Sequence, residues 1–163
     1  MPYDEYARSL PLKRVAAGVL FHDQQGRVLL VEPTYKDDWE IPGGTADAEE
    51  APWATAGREA QEEVGIVRRQ GALLVVDHIP TQGVMPEGLA FVFDGGLVTE
   101  DEVRRMPVVD PEIRSIGLYT VDEASKLVTP ALHRRIVAAQ SAVERGRTVL
   151  CDAGQPVLSE YQL

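Results

Sequence analysis

Three glutamates within five residues, Glu59, Glu62 and Glu63, have the types and spacing best suited to chemistry in this chain. In a helix, at roughly 100° per residue, they fall within an arc of about 100°. Like charges at i,i+3 and i,i+4 each destabilise a helix by about 0.2–0.5 kcal/mol. Arg58 is the only base between residues 49 and 66, and it can reach Glu62 one turn on. By spacing alone, no Lys or Arg is placed to neutralise Glu59 or Glu63. A solvated acidic face is the ordinary outcome for such a run. Another outcome is a hard divalent cation, and carboxylate oxygens suit Mg2+ or Mn2+.

The element that must position these carboxylates is a helix over residues 50–64. Pro52 fits its first turn, where a missing N–H costs little, and Gly65 fits the left-handed position just past its end. Trp53, Gly57, Ala60 and Val64 recur at helical spacing and predict a narrow stripe that packs closely on a sheet, roughly opposite the glutamates. Before the helix, Trp39-Glu40-Ile41 runs into the breaker Pro42-Gly43-Gly44.

These residues carry a family resemblance. The pattern Gly-x5-Glu-x7-Arg-Glu-U-x-Glu-Glu-x-Gly-U, with U a bulky aliphatic, is the Nudix box. Here it runs from Gly44 through Glu50, Arg58, Glu59, Ala60, Glu62, Glu63 and Gly65 to Ile66, with every charged and glycine position matched. Ala60 is the one departure, smaller than the usual aliphatic, which bears on packing more than on chemistry. The flanking order resembles the family more weakly over residues 12–145.

The resemblance implies an α/β fold, a Nudix-type α/β/α sandwich with a mixed β-sheet. It implies hydrolysis of a nucleoside diphosphate linked to another moiety, such as a nucleoside triphosphate, ADP-ribose or a nucleotide sugar. Glu59, Glu62 and Glu63 would be metal ligands, joined by the carbonyl of Gly43. Arg58 would hold the glutamates, and Glu50 would sit near Arg58 and the metal shell. Gly44, Glu50 and Trp39 are the substrate-side candidates; for Trp39, a wall of a base pocket competes with a core aromatic at a strand end. Either Glu63 or Glu62 would share in orienting or deprotonating water. Glu112, just before an expected strand, resembles the family's further acidic residue, whereas Glu100, Asp101 and Glu102 read as a solvated loop. His22, His78 and His133 show no metal spacing. Pro80, 14 residues after Ile66, is a weak pointer toward ADP-ribose hydrolases.

The competing class is a non-catalytic Nudix-fold module that binds nucleotides or regulates; a purely structural acidic helix is a third reading. The intact glutamate set argues against the module. Homodimers are common in the family, so a homodimer is an expectation.

Composition sets the frame. The 163 residues are 44% hydrophobic and 26% charged, which suits one folded domain. Sixteen basic against 26 acidic side chains leave a net charge of −10, opposite to a duplex-binding surface. A small phosphorylated ligand is compatible if a metal supplies positive charge. One cysteine, Cys151, and no long apolar run point to a cytoplasmic protein away from membranes. Residues 1–11 read as a polar tail or arm, 12–145 as the domain, and 146–163 as an extension with an edge strand around Thr148–Leu158. Strands are expected at Val15–Phe21 and Val28–Val31 as a hairpin, at Ile66–Val67, Leu73–Val76, Leu89–Phe93 closed by Asp94-Gly95-Gly96, and Ile113–Tyr119. Helices are expected at residues 122–128 and His133–Glu144.

Overall fold

The computed structural model describes residues 1–69 and 71–157. In chain order the elements are α1 (Tyr3–Ser9), β1 (Arg14–His22), β2 (Val28–Pro33), β3 (Gly43–Thr45), α2 (Pro52–Val64), β4 (Leu73–Ile79), β5 (Gly88–Leu97), α3 (Glu100–Arg104), β6 (Ile113–Tyr119), α4 (Val121–Ala124), α5 (Pro130–Arg145), β7 (Val149–Asp152) and β8 (Gln155–Pro156). The strands form one sheet in the order β6-β2-β1-β5-β4-β7-β8, with β3 paired to β1. The β1–β5 and β4–β7 pairs are parallel and the rest antiparallel, so the sheet is mixed.

The unbroken apolar run of β1 follows from burial on both faces. Ala17, Val19 and Phe21 pack toward Ala56, Ala60 and Val64 of α2. Leu20 packs on the other side with Leu132, Ile136 and Ala139 of α5. Helices therefore cover both faces, giving the expected α/β/α sandwich.

Several local expectations change. The stretch read as a tail holds the α1 helix, which has no buried residue. Ile66–Val67 is irregular, with Ile66 packed against the α2-side core and Val67 exposed. Strand β5 does not close at Asp94-Gly95-Gly96 but runs through it to Leu97. The reason is a bulge: Leu20 pairs Asp94 and Phe21 pairs Gly96, so Gly95 is the extra residue, and a Cβ there would strike Phe21 and Val19. At the C-terminal end β7 joins β4 and carries β8 at the sheet edge; the expected strand's last residue, Leu158, lies outside the described residues.

The feature that positions the site is a fork on one side of β1. Strand β2 pairs with its far end, at His22, while β3 pairs with its near half, from Ala16 opposite Thr45 to Gly18 opposite Gly43. The chain returns across the gap through a single bridge between Val31 and Glu40. Gly43 and Gly44 thus lie at an opening in the sheet directly over α2.

Candidate active site

Helix α2 begins at Pro52 and ends where Gly65 takes a left-handed φ of 71°. Its packing face is Ala56, Ala60 and Val64; of the expected stripe Ala60 and Val64 are buried, Gly57 is half-buried, and Trp53 is 64% exposed. Ala56 is one edge of that face; Glu63 lies about 20° beyond it, whereas Glu62 lies about 120° away. Glu63 is accordingly buried at 8% exposure, Glu59 is half-buried and Glu62 is exposed.

Small residues let α2 and β3 approach closely. A Cβ at Gly43 would lie 2.5 Å from the Ala17 carbonyl oxygen, and one at Gly44 would collide with the Glu59 carboxylate. The Gly43 N–H donates to Glu63 Oε2 at 3.3 Å. It is this amide of Gly43 that the structure shows engaged with a site carboxylate.

Arg58 organises the outer half of the cluster. Its Nε and Nη2 donate to Glu50 Oε2 and Oε1 at 2.8 and 2.9 Å, a bidentate pair. Its Nη1 donates to Glu59 Oε1 at 3.0 Å and to Glu62 Oε2 at 3.3 Å. The expectation that no cation neutralises Glu59 is therefore corrected. Adjacent helix positions diverge at Cβ, but Glu50 turns the guanidinium back over α2, where it meets Glu59. Glu50 also accepts from Thr55 Oγ1 at 2.6 Å. The Arg58 bonds, helped by Thr55, hold the Glu50 carboxyl down at about 2. The same Glu50 bonds push Arg58 upward.

Glu63 has no Lys, Arg or His partner within 4 Å among the described residues. Burial pushes its carboxyl up to about 8, reinforced by the charges of Glu59, Asp110 and Glu40, with the Gly43 amide opposing. Burial likewise raises Glu59, against the pull of Arg58. A carboxylate taken out of water without a cation is costly unless it keeps its proton or meets a positive charge.

The expected three-way convergence is met by two groups. Glu59 and Glu63 close on Gly43–Gly44, whereas Glu62 turns out toward Arg58. As they stand, no three Asp, Glu, His or Cys side chains among the described residues are grouped to enclose an ion. The oxygen-only character of Glu59 and Glu63 and their destabilised charged forms fit a hard divalent cation.

Glu112 is exposed, on the loop before β6, and its charge reaches Glu59. The loop is pinned because Thr34 N–H donates to the Glu112 carbonyl at 2.8 Å. Sequence reasoning missed Asp110 and Glu40, whose charges reach Glu63. Asp110 accepts from the Glu112 N–H at 2.8 Å, and the Asp-Pro pair that opens this turn was the available signal. Of the two readings of Trp39, the structure places it as a half-buried aromatic at the core: its ring packs edge-on to Tyr119, centroids 5.2 Å apart, against the α5-side cluster. His22, His78 and His133 bond to Asp94, to Glu87 and Asp152, and to the Val121 carbonyl, and none bonds Glu59, Glu62 or Glu63.

On the α5 side of Gly43–Thr45 lies a cleft of about 240 Å³. Arg14, Ala16 and Gly18 of β1, Ala90 and Val92 of β5, Ile79 of β4, and Leu132 and Arg135 of α5 line it, with Tyr35 and Glu40 at the loops. The two glycines are thus a thin wall with carboxylates behind and a ligand-sized cleft in front.

A family model for the NUDIX domain matches residues 12–140. Diphosphoinositol polyphosphate phosphohydrolase 2 of Rattus norvegicus is 41% identical over 63 residues, covering 38% of this chain and 35% of that protein. The chain thus spans about a third of the length of the curated relatives it matches. Among solved structures, the MutT protein from Methanosarcina mazei Go1 superposes with a TM-score of 0.64 at 20% identity, over 86% of this chain and 100% of that one. A UDP-X diphosphatase superposes with a TM-score of 0.69 at 18% identity, over 93% and 76%. Those two likenesses speak for the fold, and the family model speaks for descent: with its box on α2 and its glycine wall at the fork of the sheet, this chain belongs to the NUDIX family.

Proposed function

We propose that this chain is a metal-dependent hydrolase that cleaves the pyrophosphate linkage of a nucleoside diphosphate joined to another moiety. The observation that carries the reading is Glu63, a carboxylate buried beside Glu59 against Gly43–Gly44 with no cation of its own. The phosphohydrolase name of the 41%-identical relative supports the same reaction class.

Glu59 and Glu63, with Glu62 once it leaves Arg58, would hold Mg2+ or Mn2+. Such an ion supplies positive charge to phosphate oxygens and acidifies a bound water. Arg58, fixed by Glu50, sets the directions of Glu59 and Glu62. The cleft in front of Gly43–Thr45 receives the substrate and excludes bulk water from one side of the linkage. Glu63 or Glu62 orients or deprotonates the attacking water, with Glu112 and Asp110 adding negative potential on the open side. The alternative, a non-catalytic nucleotide-binding module, needs the cleft but none of the carboxylates.

The test is hydrolysis of a panel of nucleoside triphosphates, ADP-ribose and nucleotide sugars with Mg2+ or Mn2+. Glu63→Gln and Glu59→Gln should each lower kcat by about 10²-fold or more while the circular dichroism spectrum persists. Wild-type rates in both variants would refute the assignment.

A further inference from the structure

Arg135 is anchored in an unusual way. Its Nε donates to Asp77 Oδ2 at 2.7 Å, and Asp77 is fully buried, its other oxygen accepting from the Gly154 N–H at 2.9 Å. The Arg135 Nη1 and Nη2 make no hydrogen bond among the described residues. No buried side-chain nitrogen or oxygen among those residues lacks a partner, so these two nitrogens are not sealed from solvent, and Arg135 lines the cleft. Arg14 repeats the arrangement from β1. Its Nε donates to the Pro86 carbonyl at 2.7 Å, its Nη atoms are uncommitted, and no carboxylate pairs with it among the described residues.

Sheet register relates the two. Ala16 pairs Ala90, Ala90 pairs Asp77, and Arg14 lies two residues from Ala16 on the same face. Two strand spacings and one two-residue step put the Cα atoms of Arg14 and Asp77 roughly 12 Å apart. The guanidinium at each end has its Nε fixed by protein, so each presents its planar Nη edge with little freedom left to lose. Glu40, the acidic residue lining this cleft, is paired with Lys36.

We propose that Arg14 and Arg135 are specificity-determining residues that grip, from two sides, one phosphoryl group lying outside the cleaved linkage. This rests on the hydrolase reading, since the cleaved diphosphate is taken to lie at Gly43–Gly44. Planar guanidinium edges match phosphate oxygens bidentately. A phosphate monoester carries about −1.5 to −2 charges, which two guanidinium groups offset once, so the clamp suits one phosphate and not a densely phosphorylated ring. The group is either a third phosphate in line with the diphosphate or a phosphate on a ribose hydroxyl.

Matched compounds separate these. ATP against ADP tests the in-line source; coenzyme A against 3′-dephospho-coenzyme A, and NADP+ against NAD+, test the ribose source. Binding to the full chain is titrated calorimetrically with Ca2+, and turnover is followed with Mg2+. The phosphorylated member of at least one pair should bind tenfold or more tightly. Arg14→Gln and Arg135→Lys should each remove that preference, raising KM for the phosphorylated member at least tenfold more than for the other. Arg135→Gln leaves Asp77 unpartnered; Arg135→Lys keeps the charge without the fork, and Arg14→Gln leaves the Asp77 pair intact. If no pair is discriminated, or if discrimination survives both Arg14→Gln and Arg135→Lys, the clamp is overturned even where metal-dependent hydrolysis is found. Discrimination in binding without turnover of any compound upholds the clamp and sinks the hydrolase reading alone.

Discussion

Binding a divalent cation should expel a proton from Glu63, and the amount follows from its surroundings. With a carboxyl pushed up to about 8, Glu63 is mostly protonated at pH 7 in the metal-free chain. The arithmetic gives roughly 0.9 proton held there, and a cation needs the ionised form, so about that much is released per ion bound. Calorimetric titration of Mg2+ or Mn2+ in buffers of different ionisation enthalpy measures it as a slope. Glu63→Gln should bring the slope close to zero. The same burial has a stability consequence whose sign is fixed. The folded carboxyl lies above its ordinary 4.5, so the folded state binds the extra proton. This contribution is fully present below about pH 4.5 and is lost as pH rises toward and through 8. At roughly 1.4 kcal/mol per pH unit the loss is at most on the order of 5 kcal/mol, and water entry or side-chain rotation lowers it. The metal-free chain should therefore melt at lower temperature at pH 8 than at pH 5.5, by a margin that shrinks in Glu63→Gln; Mg2+ should recover the stability lost at pH 8 by RT ln(1 + [L]/Kd). A metal-binding slope of zero in the native chain, or an undiminished one in Glu63→Gln, refutes the reasoning.

Two further outcomes test the packing around the site. Gly44→Ala places a methyl group against the Glu59 carboxylate, so it should weaken the Mg2+-induced rise in melting temperature and lower turnover about tenfold or more, at a stability cost of about 1–3 kcal/mol by denaturant titration. Trp53→Ala, on the exposed side of α2, should shift stability by less than about 0.5 kcal/mol, whereas Ala60→Leu, between α2 and β1, should cost about 1–3 kcal/mol; the reverse order would restore Trp53 to the packing face.

What could be read in the sequence was what is local. Pro52, Gly65 and the fixed spacing of the box delimit α2 within a residue or two, and the continuous apolar run of β1 announces a strand covered on both faces. What could not be read depends on which strands become neighbours. The fork in β1 joins Gly43 to Gly18, and Asp77 meets Arg135 across 58 residues of chain. Neither contact leaves a periodic trace. Trp53 shares the helical spacing of Ala60 and Val64, yet size keeps it off the packing face. An indole between α2 and β1 would hold them apart, while Ala56 and Ala60 let the helix descend until Glu59 touches Gly44. The smaller residue at the box's aliphatic position is thus consistent with the close approach that the two glycines require.

The position of Arg58 follows from the same accounting of charge. It hydrogen-bonds three carboxylates, but its partnership with Glu50 is bidentate, at 2.8 and 2.9 Å, while Glu62 is held by one bond of 3.3 Å. With its carboxyl held down at about 2, Glu50 is ionised at neutral pH, so the Arg58 charge is already answered before any cation binds. Glu62, exposed and weakly held, can leave at little cost. Glu59 can share its second oxygen, because its bond to Arg58 engages Oε1 alone. Arg58 is therefore better described as a keeper of direction than as a neutralising charge. It aligns Glu59 and Glu62 along α2, and its bidentate pair with Glu50 would keep it in place if, as proposed, a divalent cation drew those two carboxylates toward Glu63.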